Sequence, residues 1–208
     1  MATGVYYPNS NYKFDAVSQR RLDMLSDNDP WQFSKYKKPF VIRNGSTVFL
    51  RPIQRSDVDR LLGLARRFSR ETMYLRFHHV VTKMSREEAI RFCTIDYDHT
   101  FALVVTVGEG DIEKLLAVAR YYRLPREDAA EFAIVVADKY QKQGIGTHLM
   151  KELTAAAKIG GIRFLRGEVL VENKDMMHII KSCGFQVSEE LEEDVYQVTL
   201  DLHTYRYK

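Results

Sequence analysis

At 208 residues the chain suits a single domain with enough interior to fold without disulfide or metal staples. Its 45% hydrophobic and 28% charged residues are ordinary for a globular protein, and a net charge of +3 with no long basic tract argues against nucleic acid as a partner. Two cysteines, Cys93 and Cys183, are too few for a disulfide framework and lack metal-ligand company, and no run approaches the ~18 apolar residues of a membrane span.

In chain order, residues 1–44 form an extension ahead of the domain at 45–208. Its start lacks the apolar core of a signal peptide, so a cytoplasmic protein without a membrane partner is expected. Residues 16–25 allow a short helix. Trp31, Phe33, Tyr36 and Phe40 are aromatics that need an apolar surface to cover. A structured extension and a regulatory or substrate-contacting arm are both open readings. Residues 47–52 read as a strand. Ser56 and Asp59 have capping-box spacing before an amphipathic run from Val58 to Phe68. Residues 69–77 read as another helical piece. Ser85-Arg-Glu-Glu88 is a second capping box, ahead of Ile90 and Phe92.

Residues 101–107 and 115–122 read as a hairpin around Gly108-Glu-Gly-Asp111. The apolar, β-branched run 132–137 is too short for a free-standing helix and reads as a buried strand. A polar turn follows, 138–143. Gly144-Ile-Gly146 then leads into Ile145, Leu149, Leu153 and Ala156, one face of a helix that stops at Gly160-Gly161. Residues 163–170 form the next strand, 173–182 a helix, and 185–188 and 195–202 the last strands, around an acidic loop at 189–194. The expected architecture is a mixed, mainly antiparallel sheet flanked by helices. Strands 132–137 and 163–170 should be parallel, because a helix connects them.

The strand, glycine turn and helix at 131–150 suit an anion. N–H groups in a first helical turn lack intrahelical partners, the helix dipole makes that end positive, and glycines let a phosphate approach the backbone. The turn is neither of the two common phosphate fingerprints: the sixth position of G-x-G-x-x-G is Leu149, and G-K-[ST] is absent.

Gln141-Lys-Gln-Gly144-Ile-Gly146 does fit the Q/R-x-x-G-x-G/A motif of GNAT-superfamily N-acetyltransferases, and Asn173 followed by Gly184-Phe185 fits their N-x-x-A…G-F segment. The resemblance covers about 47–202. Tyr74-Leu-Arg-Phe77, Ile95-Asp-Tyr-Asp98, 130–136 and Gly167-Glu-Val-Leu170 further resemble the acetyltransferase domain of bacterial Pat-type protein lysine acetyltransferases. The resemblance implies the GNAT fold, an α/β (α+β) domain with a central sheet of six to seven strands. It also implies acetyl-CoA as acyl donor. Lys142, Gln143, Gly144, Ile145, Gly146 and Thr147 are expected around the pyrophosphate with Gln141, the backbone of Ile134 and Val136 at the pantetheine and thioester, and Asn173 near the pantetheine or as the N-cap of the next helix. All these motifs lie downstream of residue 44, so cofactor binding is expected to be independent of the extension.

Amine acetylation needs a base, because a lysine ammonium of pKa ~10.4 must lose a proton before it can attack. Glu131, ten residues before Gln141, matches the glutamate that serves as base in Pat-type enzymes. Glu168 is the second candidate. Many family members place a tyrosine acid where this chain has Ile180, so the general acid is unassigned. Of the histidines, which form no metal set, His99 beside Asp98 is the one to test. Cys183 as a nucleophile is remote. The leading reading is acetyl transfer to a protein lysine by direct attack. The alternatives are a small-molecule or peptide amine as acceptor, or an inactive CoA-binding regulatory module. A monomer or homodimer is expected.

Overall fold

The computed structural model describes residues 37–77, 83–190 and 194–205. The helix expected at 16–25, the aromatics Trp31, Phe33 and Tyr36, His78 and His79, and the centre of the acidic loop at 191–193 lie outside the described residues.

Among the described residues, eight strands form one sheet. They are β1 (Lys38–Val41), β2 (Thr47–Pro52), β3 (Thr100–Val107), β4 (Lys114–Arg123), β5 (Ala129–Val136), β6 (Phe164–Leu170), β7 (Gln186–Glu190) and β8 (Val195–Asp201). The order is β1-β2-β3-β4-β5-β6-β8-β7. The β5–β6 pair is parallel and the others antiparallel. The helices are α1 (Val58–Ala65), α2 (Arg70–Phe77), α3 (Arg86–Cys93), α4 (Ile145–Ile159) and α5 (Lys174–Ser182). β5 and β6 are parallel for the reason read from the sequence: α4 is a crossover that returns the chain to the same sheet end. The strand beyond the expected six to seven is β1, which lies in the segment placed ahead of the domain and pairs with β2 from Lys38–Leu50 to Val41–Thr47.

Both faces of the sheet are covered. Along β3, Phe101, Leu103 and Val105 pack with Leu149, Met150 and Leu153 of α4. Ala102 and Val104 point the other way, to Leu61 and Leu64 of α1 and Ala89 and Cys93 of α3. That alternation explains why β3 is apolar at every position from Phe101 to Val105 rather than every second one. Each fully buried Leu or Phe contributes roughly 1.5–3 kcal/mol.

The capping box read at Ser85 forms: Glu88 N–H donates to Ser85 Oγ at 3.1 Å and Ser85 N–H to Glu88 Oε2 at 2.7 Å. The one read at Ser56 and Asp59 does not. Asp57 closes the turn instead, accepting Gln54 N–H at 2.8 Å, while Asp59 pairs with Arg86 at 2.6 Å. Asp57 is fixed there by a buried two-pronged ion pair with Arg51, at 2.7 and 2.8 Å, which Glu113 extends at 2.8 Å. Among the described residues no helix is long and apolar enough to cross a membrane, and no group of His, Cys, Asp and Glu is arranged to hold a metal ion.

Candidate active site

The site begins where two parallel strands part. β5 and β6 pair at Ala129–Phe164, Ala130–Leu165 and Glu131–Arg166, and no further. β5 stays paired to β4 as far as Val136, and β6 to β8 as far as Leu170. From Phe132 onward, one edge of β5 therefore faces a cleft. Ala137 N–H donates to Leu116 C=O on the β4 side, at 2.9 Å. Strand alternation turns the peptide groups of Val136, Ile134 and Phe132 to the open edge. The Phe132 ring lies over Gly167, where an added Cβ would come within 2.7 Å of its Cε1, and meets Phe185 edge-on. Gly167 is a glycine because the ring occupies the place of its side chain.

The N-terminus of α4 closes one end of the cleft. The turn reaches it through Lys142 at φ 59° and Gly144 at φ 89°, left-handed conformations that favour glycine. His148 N–H makes the first helical bond, to Gly144 C=O at 3.1 Å. The N–H groups of Ile145, Gly146 and Thr147 precede that bond and have no intrahelical acceptor. The two glycines serve different ends. An added Cβ on Gly144 would enter open space, whereas one on Gly146 would meet Ile179 Cδ1 of α5 at 2.7 Å. Gly146 thus has a packing role against α5 besides the phosphate access expected of both glycines.

A cleft of about 350 Å³ runs from this turn along β5. Of the residues the sequence pointed to, Ile134, Val136, Gln141, Lys142, Gly144, Gly146, Thr147 and Asn173 line it. Gln143 and Ile145 do not. Ile145 is a core residue at 1% exposure, and the Oε1 of Gln143 is buried with no hydrogen-bond partner among the described residues. Gln141 lines the wall but spends its amide donors inside the protein, on Thr72 Oγ1 at 3.0 Å and Val136 C=O at 3.2 Å. Thr72 in turn donates to Asp138, which also accepts Ser69 N–H, both at 3.0 Å. Burial would raise the Asp138 carboxyl, but the bonds from Ser69 and Thr72 outweigh it and hold the group below its usual range. This strut ties α2 to the turn after β5. No local pattern reveals it, because its members lie 66 to 69 residues apart.

The cleft continues into a smaller space of about 60 Å³ lined by Glu131 and Glu168, and the two share Leu75, Arg76, Ile134, Asn173 and Met176. Burial, then the charge of Glu168, pushes the Glu131 carboxyl up from its ordinary value, against a smaller opposing pull from Arg76. Gln197 Nε2 donates to Glu168 Oε1 at 3.0 Å and orients it. Glu131 is therefore a half-buried carboxyl at the point where the β5 edge opens, raised above its ordinary value. Asn173 caps α5, its Oδ1 accepting Met176 N–H at 3.0 Å, while also lining both spaces. Ile180 is in the core at 0% exposure. His99 pairs with Asp96 at 3.1 Å and lines neither space. Cys183 is buried, and burial raises its thiol. Neither is placed to act on a group in the cleft.

The Acetyltransferase (GNAT) family matches residues 61–185. The chain belongs to this family. As a GNAT acetyltransferase it is 35% identical over 147 residues to the acetyltransferase Pat of Mycolicibacterium smegmatis, across 70% of this chain and 43% of that protein. It thus spans under half the length of that curated relative. The GNAT domain of S. lividans PAT superposes with a TM-score of 0.73 at 28% identity, covering 80% of this chain and 97% of that one. A spermidine N-acetyltransferase from Vibrio cholerae, solved with CoA and spermine, shares the fold at a TM-score of 0.60 and 21% identity over 76% of this chain and 97% of that one.

Proposed function

We propose that this GNAT acetyltransferase uses acetyl-CoA to acetylate an amine, a protein lysine side chain foremost, with Glu131 as general base. The observation that carries this reading is the position of Glu131: a half-buried carboxyl with a raised pKa at the head of a cleft whose other end is a helix N-terminus. The cleft fits the donor. Gly144 leaves open space at its left-handed turn, the first N–H groups of α4 lack intrahelical partners, and one edge of β5 is unpaired. Ile145, Gly146 and Thr147 would offer these N–H groups to the pyrophosphate, and Lys142 a charge. Ile134 and Val136 would offer peptide groups to the pantetheine arm, with Asn173 beside it. Acetyl-CoA supplies the activated acetyl group.

The chain's own task is to deprotonate the acceptor and exclude water. A lysine ammonium entering beside Glu131 and Glu168 meets two carboxyls, which favour a cation. Glu131 accepts its proton directly or through a water, and its raised pKa brings it closer to the amine's. Lysine as the acceptor is supported by the resemblance to Pat-type enzymes.

Incubation with labelled acetyl-CoA and a panel of proteins, polyamines and aminoglycosides tests the reading. Label on protein lysines is expected. Label confined to small amines would move the acceptor class. Acetyl-CoA binding without transfer to any amine would make the chain a CoA-binding module.

A further inference from the structure

Arg43 lies outside every motif that carries the family resemblance, yet it lines the large cleft with Lys142, Gly144 and Thr147. We propose that Arg43 is a phosphate-binding residue of this cleft, delivered by the β1–β2 hairpin. The inference rests on the reading that acetyl-CoA occupies the cleft.

The hairpin fixes the backbone that carries this exposed side chain. Its turn is closed by Ile42 N–H on Ser46 C=O at 3.0 Å and Gly45 N–H on Ile42 C=O at 2.8 Å. Gly45 supplies the positive φ of 86°, and Asn44 Oδ1 accepts Ser46 N–H at 3.0 Å. The hairpin also rests on α4. The Phe40 ring stacks on His148 with centroids 4.1 Å apart, and Lys38 Nζ is 3.6 Å from Glu152. At the turn, Arg43 N–H donates to Gln143 C=O at 3.2 Å and its Nη1 to Lys142 C=O at 3.0 Å. β1 and the glycine turn are thereby one unit, although about 100 residues separate Arg43 from Lys142 in sequence.

Charge completes the argument. The Lys142 ammonium is 3.5 Å from Asp175, so part of its field is spent on that carboxylate. Arg43 forms no ion pair among the described residues. Its guanidinium has five donors in a rigid fork, and among the described residues only one is taken. A fork fixed beside a helix N-terminus, with donors to spare and no carboxylate, matches phosphate oxygens. A mere tether would need neither the charge nor the fork, because any donor can serve the Lys142 carbonyl.

Calorimetric titration with acetyl-CoA separates the two roles. Arg43→Gln keeps a donor for Lys142 C=O and removes the charge. It is expected to raise Kd about 10–100-fold, the usual worth of a charge-assisted contact, with ligand-free Tm unchanged. Its Kd should also depend less on salt than that of wild type, and Arg43→Lys should recover part of the loss. With 3′-dephospho-CoA, a persisting ratio of wild type to variant assigns Arg43 to the pyrophosphate, and a vanishing ratio assigns it to the 3′-phosphate. Either supports the proposal. Arg43→Gln binding as tightly as wild type, or more weakly with the wild-type salt dependence, would overturn it and leave the acetyl-CoA reading standing. A wild type that does not bind acetyl-CoA would overturn both.

Discussion

Replacing Glu131 with Gln keeps the volume and hydrogen-bonding capacity of the side chain and removes its ability to take a proton. A positioned general base is worth about 10²–10⁴ in rate, or ~2.7–5.4 kcal/mol at ~1.36 kcal/mol per decade. Steady-state transfer near pH 7 should fall by that factor while acetyl-CoA affinity is preserved, since the glycine turn lies at the other end of the cleft. The pH profile is the sharper test. Burial and Glu168 raise the Glu131 carboxyl above its ordinary 4.5, so the acid limb of kcat/KM should lie above that value. The limb should vanish in Glu131→Gln, and the gap from wild type should narrow as pH nears the lysine pKa of ~10.4. Glu168→Gln removes a like charge, so it should shift the limb to lower pH with a smaller rate loss. Stability gives a readout independent of catalysis. A carboxyl with a raised folded pKa contributes stability below its unfolded pKa and loses it as pH rises through the folded value. Glu131→Gln should therefore have a higher Tm than wild type at pH 7, and the difference should close at pH 4. Wild-type turnover of Glu131→Gln near pH 7, or an unmoved acid limb, would refute the assignment and return the role to Glu168 or to bulk water.

Three further outcomes follow from packing and charge. Gly146→Ala sets a helix-propensity gain of about 1 kcal/mol against a clash with Ile179 Cδ1 at 2.7 Å, the end of a half-buried side chain that can turn aside. Urea unfolding should place it within about 1 kcal/mol of wild type, whereas Gly144→Ala should lose about 1–2 kcal/mol from left-handed strain. Burial would raise the Glu113 carboxyl, but the hydrogen bonds and charge of Arg51 hold it below its usual range. Its stabilisation is thus present above the unfolded pKa and lost as pH falls through the folded one. Arg51 keeps its pair with Asp57, so Glu113→Gln should cost about 1–3 kcal/mol at pH 7 and flatten the acid side of the stability curve. Finally, burial pushes the Cys93 thiol up to about 12 and also raises Cys183. Neither should react with a disulfide reagent at pH 8 until the protein is unfolded.

The strand, glycine turn and helix from Ala129 to Ile159 were legible because apolar period, turn chemistry and C-cap glycines agree over a short stretch. The parallel pairing of β5 and β6 followed from the helix between them. What escaped were features whose partners are distant in sequence. Thr72 and Asp138, 66 residues apart, and Arg51 and Glu113, 62 apart, are polar pairs that no local pattern joins. Asp57 took the acceptor role read for Asp59, with Gln54 as its partner, because the buried Arg51 fixes it there. Gly146 was read as a turn glycine open to phosphate and Gly167 only as part of the family resemblance, yet Ile179 and Phe132 fill the space beside them. β1 was missed because four residues beside a glycine turn carry little periodicity. Arg43 was missed with it, and with it the link between the extension and the cleft.

The central claim is that acetyl-CoA lies along the open edge of β5 with its phosphates at the glycine turn. Calorimetric titration of acetyl-CoA into wild type and Gly144→Asp tests this most directly. The substitution puts a carboxylate into the open space beside the first N–H groups of α4, and Tm without ligand reports whether the variant is folded. Saturable one-to-one binding to wild type, lost in a folded Gly144→Asp, is the expected result. Equal affinity in the two proteins would contradict the claim.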